Sequence, residues 1–133
     1  MIIADLAQIP GRVYPARRRT QNLVGGASPI QAKNFSIGNV TLEPNGGQVP
    51  WHNQEQEEVY FIVSGHGVIE LDNEEAQVEA GSYAAIRPGQ SHSLRNTAKE
   101  DLVMLFCYAP KGIVEHWERE LGREGPPSVE ADT

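Results

Sequence analysis

The chain is short of cysteine, of positive charge and of long apolar runs, and each shortage excludes something. Cys107 is the single cysteine, so no disulfide can form within the chain, and a reducing compartment fits. Cys107 lies in the run Leu102–Tyr108, where a buried, inert thiol is expected. Lys and Arg number 11 against 18 Asp and Glu, for a net charge of −7. A nucleic-acid binder needs a basic surface to displace counterions, so this balance argues against one. No stretch reaches the ~20 apolar residues of a membrane span. The opening Met1-Ile2-Ile3-Ala4-Asp5 has an acid where a secretory leader carries a basic flank. The expectation is a soluble, cytoplasmic protein with neither a nucleic-acid nor a membrane partner.

What is present fits a small all-β domain. A chain of 133 residues and 14.6 kDa suits one hydrophobic core. Thirteen Gly and nine Pro favour many short strands over a helix bundle. Charge is unevenly spread, with a net of +3 over residues 1–50 and −10 over the remainder. The one basic cluster, Arg17-Arg18-Arg19, reads as a solvated edge, with a phosphate- or carboxylate-holding role as the alternative.

Residues 1–30 read as an irregular arm with one strand near Val13–Arg18. Strands are expected over 35–42, 48–54, 58–63, 68–71, 77–79, 83–86, 92–96 and 101–108, with Asp72–Glu75 as a hairpin loop. Residues 31–110 would form one barrel. Ile113, Val114, Trp117 and Leu121 recur at helical spacing and predict an amphipathic helix over 111–122, closed by Gly122. Residues 123–133 read as a disordered tail.

Two segments carry the chemistry. The first runs Gly46, His52, Gln54, Glu58, Gly65. The second runs Gly81, Arg87-Pro88-Gly89, His92, Asn96. Their spacing resembles the two sequence motifs of the cupin superfamily, in its small single-domain, RmlC-like form. Two positions depart from the pattern: Gln54 stands where the family has a second His, and Arg87 where it has Pro. The resemblance implies a double-stranded β-helix, the cupin jelly-roll barrel, carrying the one short C-terminal helix. It also implies a homodimer, in which the N-terminal arm could exchange strands.

Strand geometry supports a site at the same residues. Side chains alternate faces, so positions 52 and 54 share one. If 52, 54, 58 and 92 converge, His52, Glu58 and His92 supply the two imidazoles and one carboxylate typical of non-haem iron, with the amide of Gln54 as a fourth ligand. The expected cofactor is one divalent transition metal: Mn, Fe, Ni or Zn. Glu58 is the catalytic candidate, as ligand or general base. Tyr60 and Ile62 share the parity of Glu58, and Met104, Phe106 and Tyr108 share a face of the last strand; all five are expected to line the cavity. Trp51, Arg87, His66 and His116 are expected to face outward, and Asn96 to serve a turn. The expected function is a metal-dependent enzyme acting on a small molecule, a dioxygenase ahead of an isomerase, decarboxylase or cyclase. The alternative is a non-catalytic cupin that binds or senses a ligand.

Overall fold

A computed structural model describes residues 1–111 of the chain. The helix expected over 111–122, Lys111 apart, and the tail expected over 123–133 lie outside the described residues. After one turn of 3-10 helix, Leu6–Gln8, the chain forms β1 (Arg12–Tyr14), β2 (Arg18–Val24), β3 (Ser36–Leu42), β4 (Gln48–His52) and β5 (Glu57–Ser64). It continues through β6 (His66–Leu71), β7 (Glu74–Glu79), β8 (Tyr83–Ile86), β9 (His92–Asn96) and β10 (Leu102–Ala109). The strands make a six-stranded sheet in the order β1-β2-β3-β10-β5-β8 and a four-stranded sheet in the order β4-β9-β6-β7. Every pairing is antiparallel. This is the jelly-roll arrangement, and among the described residues no helix is long and apolar enough to cross a membrane.

Period-two alternation builds the core. In β5, Glu58, Tyr60 and Ile62 are buried while Val59 and Phe61 are exposed. In β10, Leu102, Met104, Phe106 and Tyr108 are all buried. Met104 sits opposite Ile62, Phe106 opposite Tyr60, and Tyr108 opposite Glu58. On its other side Phe106 faces Gly38, where an added Cβ would lie 2.3 Å from the ring; the missing side chain makes room for the aromatic one. The four-stranded sheet contributes Val49, Ile69 and Leu94 to the same core.

The chain passes from one sheet to the other at Gly65, the single residue between β5 and β6. Its φ is +91°, and a Cβ there would meet the Asp101 carbonyl oxygen at 2.6 Å. Only glycine satisfies both demands. Asn96 fastens the far end of β9. Its buried Nδ2 donates to Leu42 O at 2.9 Å and to Glu100 O at 2.7 Å, and its Oδ1 accepts from Ala98 N at 2.8 Å.

The structure corrects several expectations. The N-terminal segment is no irregular arm. A turn over residues 15–17 falls inside the expected strand, and β2 pairs along β3 of its own chain. That pairing buries Arg18, 2% exposed, while Arg17 and Arg19 stay exposed. The basic cluster is therefore not a uniformly solvated edge. Cys107 is exposed rather than buried, because odd-numbered positions of β10 face away from the core. The expected Asp72–Glu75 loop is shorter, since β7 already begins at Glu74.

Replacing Asn96 with Ala removes this partner from the buried Leu42 carbonyl and from the part-buried Glu100 carbonyl and Ala98 amide. Urea denaturation of Asn96→Ala is expected to show a loss of about 2–3 kcal/mol. A loss below about 0.5 kcal/mol, the range of a neutral surface change, would show that Asn96 does not fasten this corner.

Candidate metal centre

The site begins with a strand pair. β4 and β9 run antiparallel with His52 opposite His92, and their ring centroids lie 4.0 Å apart. Each ring is anchored in the same way. His52 Nδ1 lies 2.8 Å from Pro50 O, and His92 Nδ1 lies 2.9 Å from Gln90 O. A carbonyl oxygen can only accept, so each Nδ1 is the donor, and in a neutral ring the lone pair is then on Nε2. Backbone anchoring of this kind fixes the tautomer that a metal-binding histidine needs.

The turn before β9 is tied to the loop after β4. Gly89, with φ at +79°, donates its N–H to Gln54 O at 2.7 Å. The second motif thereby sets the position of the first. Gln54, in the loop after β4, and Glu58, on β5, are both buried, while Asn53, Glu55 and Glu57 are exposed.

Glu58 is 4% exposed and His92 is fully buried. Glu58 Oε1 stands 3.4 Å from His92 Nε2 and accepts from Gln54 Nε2 at 3.3 Å. Among the described residues, His92 Nε2 has no hydrogen-bond partner within the usual distance. Burial pushes the Glu58 carboxyl above its ordinary pKa, and His92 and Gln54 only partly offset that. An ionised carboxylate and an imidazole lone pair are both acceptors. Placed this close and away from water, they need a proton or a cation between them. The chemistry of the donors thus fits a divalent metal: two imidazole nitrogens, one carboxylate and the Oε1 of Gln54. Among the described residues, no three His, Cys, Asp or Glu side chains stand ready-grouped as a metal cluster; in this arrangement the carboxylate engages Gln54 and His92.

His52, Gln54 and Glu58, but not His92, line a cavity of about 10 Å³, on the order of one water or one ion. Tyr60, Met104 and Phe106 line it too. Ile62 and Tyr108 are buried in the core but are not part of its wall, and Tyr108 stacks on Phe106 at 5.6 Å. Trp51, Arg87 and His66 are exposed, and His66 lies 3.7 Å from Glu79. His116 is outside the described residues. Cys107 is exposed, and its thiol is pushed up by partial burial and by the Glu58 charge, the reverse of what a thiolate nucleophile needs.

Arg18 and Thr20 also line the cavity; the sequence singles out Arg18 only within the basic cluster, as an alternative to a solvated edge, and Thr20 not at all. A signal was available in the parity of β2. Positions 18, 20 and 22 share one face and are all buried. The triplet Arg17-Arg18-Arg19 concealed it, because a basic run reads as surface.

The family model described as "Cupin domain" matches residues 38–108. An oxalate-binding protein of Thermotoga maritima is 36% identical over 63 residues, which is 47% of this chain and 52% of that protein. The chain thus spans about half the length of this curated relative. Among solved structures, one described as a predicted oxalate decarboxylase of Thermotoga maritima superposes with a TM-score of 0.68 at 21% identity, covering 83% of this chain and 100% of that one. A polyketide cyclase of Streptomyces resistomycificus superposes with a TM-score of 0.69 at 17% identity, covering 84% and 80%. At such identities the superpositions speak for the fold alone.

The raised Glu58 pKa has a sign that can be checked in the metal-free protein. The unfolded chain releases this proton near the ordinary value of 4.5, and the folded chain holds it to higher pH. The Glu58 contribution to stability is thus fully present below 4.5 and is lost as pH rises through the raised value. Urea denaturation across this window should show wild type losing stability relative to Glu58→Gln as pH rises. Wild type gaining on Glu58→Gln would contradict the burial argument.

Proposed function

The chain belongs to the cupin domain family, and on that premise we propose that it is a metal-dependent enzyme acting on a small metabolite. One divalent transition metal, Mn, Fe, Ni or Zn, would be held by His52, Glu58 and His92, with Gln54 as the fourth ligand. The observation that carries this reading is the pair of facing imidazoles, 4.0 Å apart and each anchored through Nδ1, beside a buried carboxyl. Such an ion supplies Lewis acidity or a shared place for substrate and O₂. The chain's own residues do the rest. The backbone carbonyls of Pro50 and Gln90 hold both Nε2 atoms available. Glu58 would serve as a ligand in its ionised form, or as a base that takes a proton from substrate. Tyr60, Met104 and Phe106 make an apolar wall that limits water. The two-histidine, one-carboxylate set favours a dioxygenase over an isomerase, decarboxylase or cyclase.

A second reading has its own observation. Gln54 spends its Nε2 on Glu58 and offers only an amide oxygen, a weaker ligand than imidazole. A weakly held metal suits a protein that binds or senses a ligand without turning it over.

Metal content distinguishes these readings at the site itself. After incubation with Mn, Fe, Ni and Zn, wild type should retain about one metal per chain. His52→Ala and His92→Ala should each weaken retention by more than about tenfold, the least expected when even a supporting contact to a ligand costs about 10–100-fold. Gln54→His should tighten it and Gln54→Ala weaken it. Retention of no metal by wild type would defeat the metal reading. Unchanged affinity in both Gln54 variants would remove Gln54 from the ligand set.

A further inference from the structure

The carbonyl that anchors His92 belongs to a loop that is itself held from outside. Residues 87–91 join β8 to β9, and Gln90 is their hub. Its backbone oxygen accepts from His92 Nδ1 at 2.9 Å, and its N–H donates to Arg87 O at 3.0 Å. Its side-chain Oε1 accepts from Arg87 N at 3.1 Å. A proline has no N–H, so the arginine standing where the motif has proline supplies one bond of this turn. The remaining group of Gln90, Nε2, donates to Asp72 Oδ2 at 3.1 Å. The same carboxylate holds the next residue. Ser91 N donates to Asp72 Oδ1 at 3.2 Å, and Asp72 N donates in return to Ser91 O at 2.8 Å. Asp72 therefore grips both residues that immediately precede His92.

Asp72 does this from a backbone conformation that suits another residue. It is the first of the two residues between β6 and β7, and its φ is +51°. Glycine is the usual residue where a two-residue hairpin turn needs a positive φ there. A residue kept in such a conformation points to a local function that its surroundings support. Asp72 is exposed, so packing in the core does not account for it. Its side chain does. A carboxylate only accepts, and its two oxygens span two consecutive donors of the facing loop. Glycine would relax the turn and lose both bonds.

We infer that Asp72 is a positioning residue for His92. Its carboxylate sets Gln90 and Ser91 so that the Gln90 carbonyl meets His92 Nδ1 and leaves Nε2 turned toward Glu58. Hydrogen bonds in contact with water contribute little stability each, so Asp72 acts on the geometry of the ring more than on the stability of the fold. His52 takes its anchor from Pro50 O within β4 and serves as the internal reference. The orientation of His92 is a property of the metal-free protein; its consequence for metal affinity rests on the metal reading of the site.

The test compares wild type, Asp72→Gly and Asp72→Asn as full chains. Long-range proton–nitrogen NMR of the metal-free proteins follows the Nδ1 proton of each histidine, and a Zn²⁺ competition titration follows affinity. Asp72→Gly should let the His92 Nδ1 proton exchange with solvent several-fold faster, with His52 unchanged and the urea midpoint close to wild type. Its Zn²⁺ affinity should fall several-fold, less than the about 10–100-fold carried by a partner that touches a ligand directly. Asp72→Asn keeps an oxygen for Ser91 N but offers Gln90 a donor in place of an acceptor, and should fall between the two; it carries the comparison alone if Asp72→Gly does not fold. The inference is overturned if His92 exchanges as in wild type, if His52 loosens equally, or if wild type binds Zn²⁺ and the variants bind it as tightly. Should wild type bind no Zn²⁺, the metal reading fails, and the contrast between His92 and His52 still decides the role of Asp72.

Discussion

Two imidazole rings whose Nδ1 hydrogens are committed to backbone carbonyls have only their Nε2 atoms left to offer. His92 offers its Nε2 to a carboxyl oxygen at 3.4 Å, inside a protein wall that leaves His92 no contact with water. Two acceptors cannot face each other there without a positive particle between them. Burial pushes the Glu58 carboxyl above its ordinary pKa, and the neighbouring His92 and Gln54 only partly offset that. A divalent metal meets the need well, since it satisfies several acceptors at once. The rest of the site follows from this shortage of donors.

The barrel exists to hold those acceptors in place. Opposed register of β4 and β9 brings the two rings together. The bond from Gly89 N–H to Gln54 O couples the turn of the second motif to the loop of the first. Tyr60 and Phe106, opposite each other on β5 and β10, make the apolar wall. Glycine at 38 and 65 is required by close approach, of a phenyl ring in one case and a neighbouring backbone in the other. β2 completes the wall with Arg18 and Thr20.

Much of this was legible in the sequence, for local reasons. Alternation in Glu58–Ile62 and in Leu102–Tyr108 announces both the strands and their inward faces. The candidate site at His52, Gln54, Glu58 and His92 was legible through the resemblance of the two motifs, since parity by itself places only positions 52 and 54 on one face. What was not legible depends on partners distant in sequence. Arg18 is buried only because β2 lies against β3, and nothing within the triplet of arginines reveals that. Cys107 sits in a run that is apolar on both faces, yet only one face of that strand meets the core. Ile62 has the same parity as Tyr60, but its depth along the strand takes it away from the cavity into the packed core. Parity gives the face and not the position along it.

The central claim is that both histidines present Nε2 to one shared cation, and long-range proton–nitrogen NMR of the imidazoles tests it most directly. The metal-free protein should show both His52 and His92 carrying a proton on Nδ1. Titration with Zn²⁺ should shift the Nε2 resonances of both residues together, complete at one equivalent, while both Nδ1 atoms remain protonated. Saturation with Zn²⁺ that leaves either Nε2 unshifted, or that moves the coordination to Nδ1, would contradict the account.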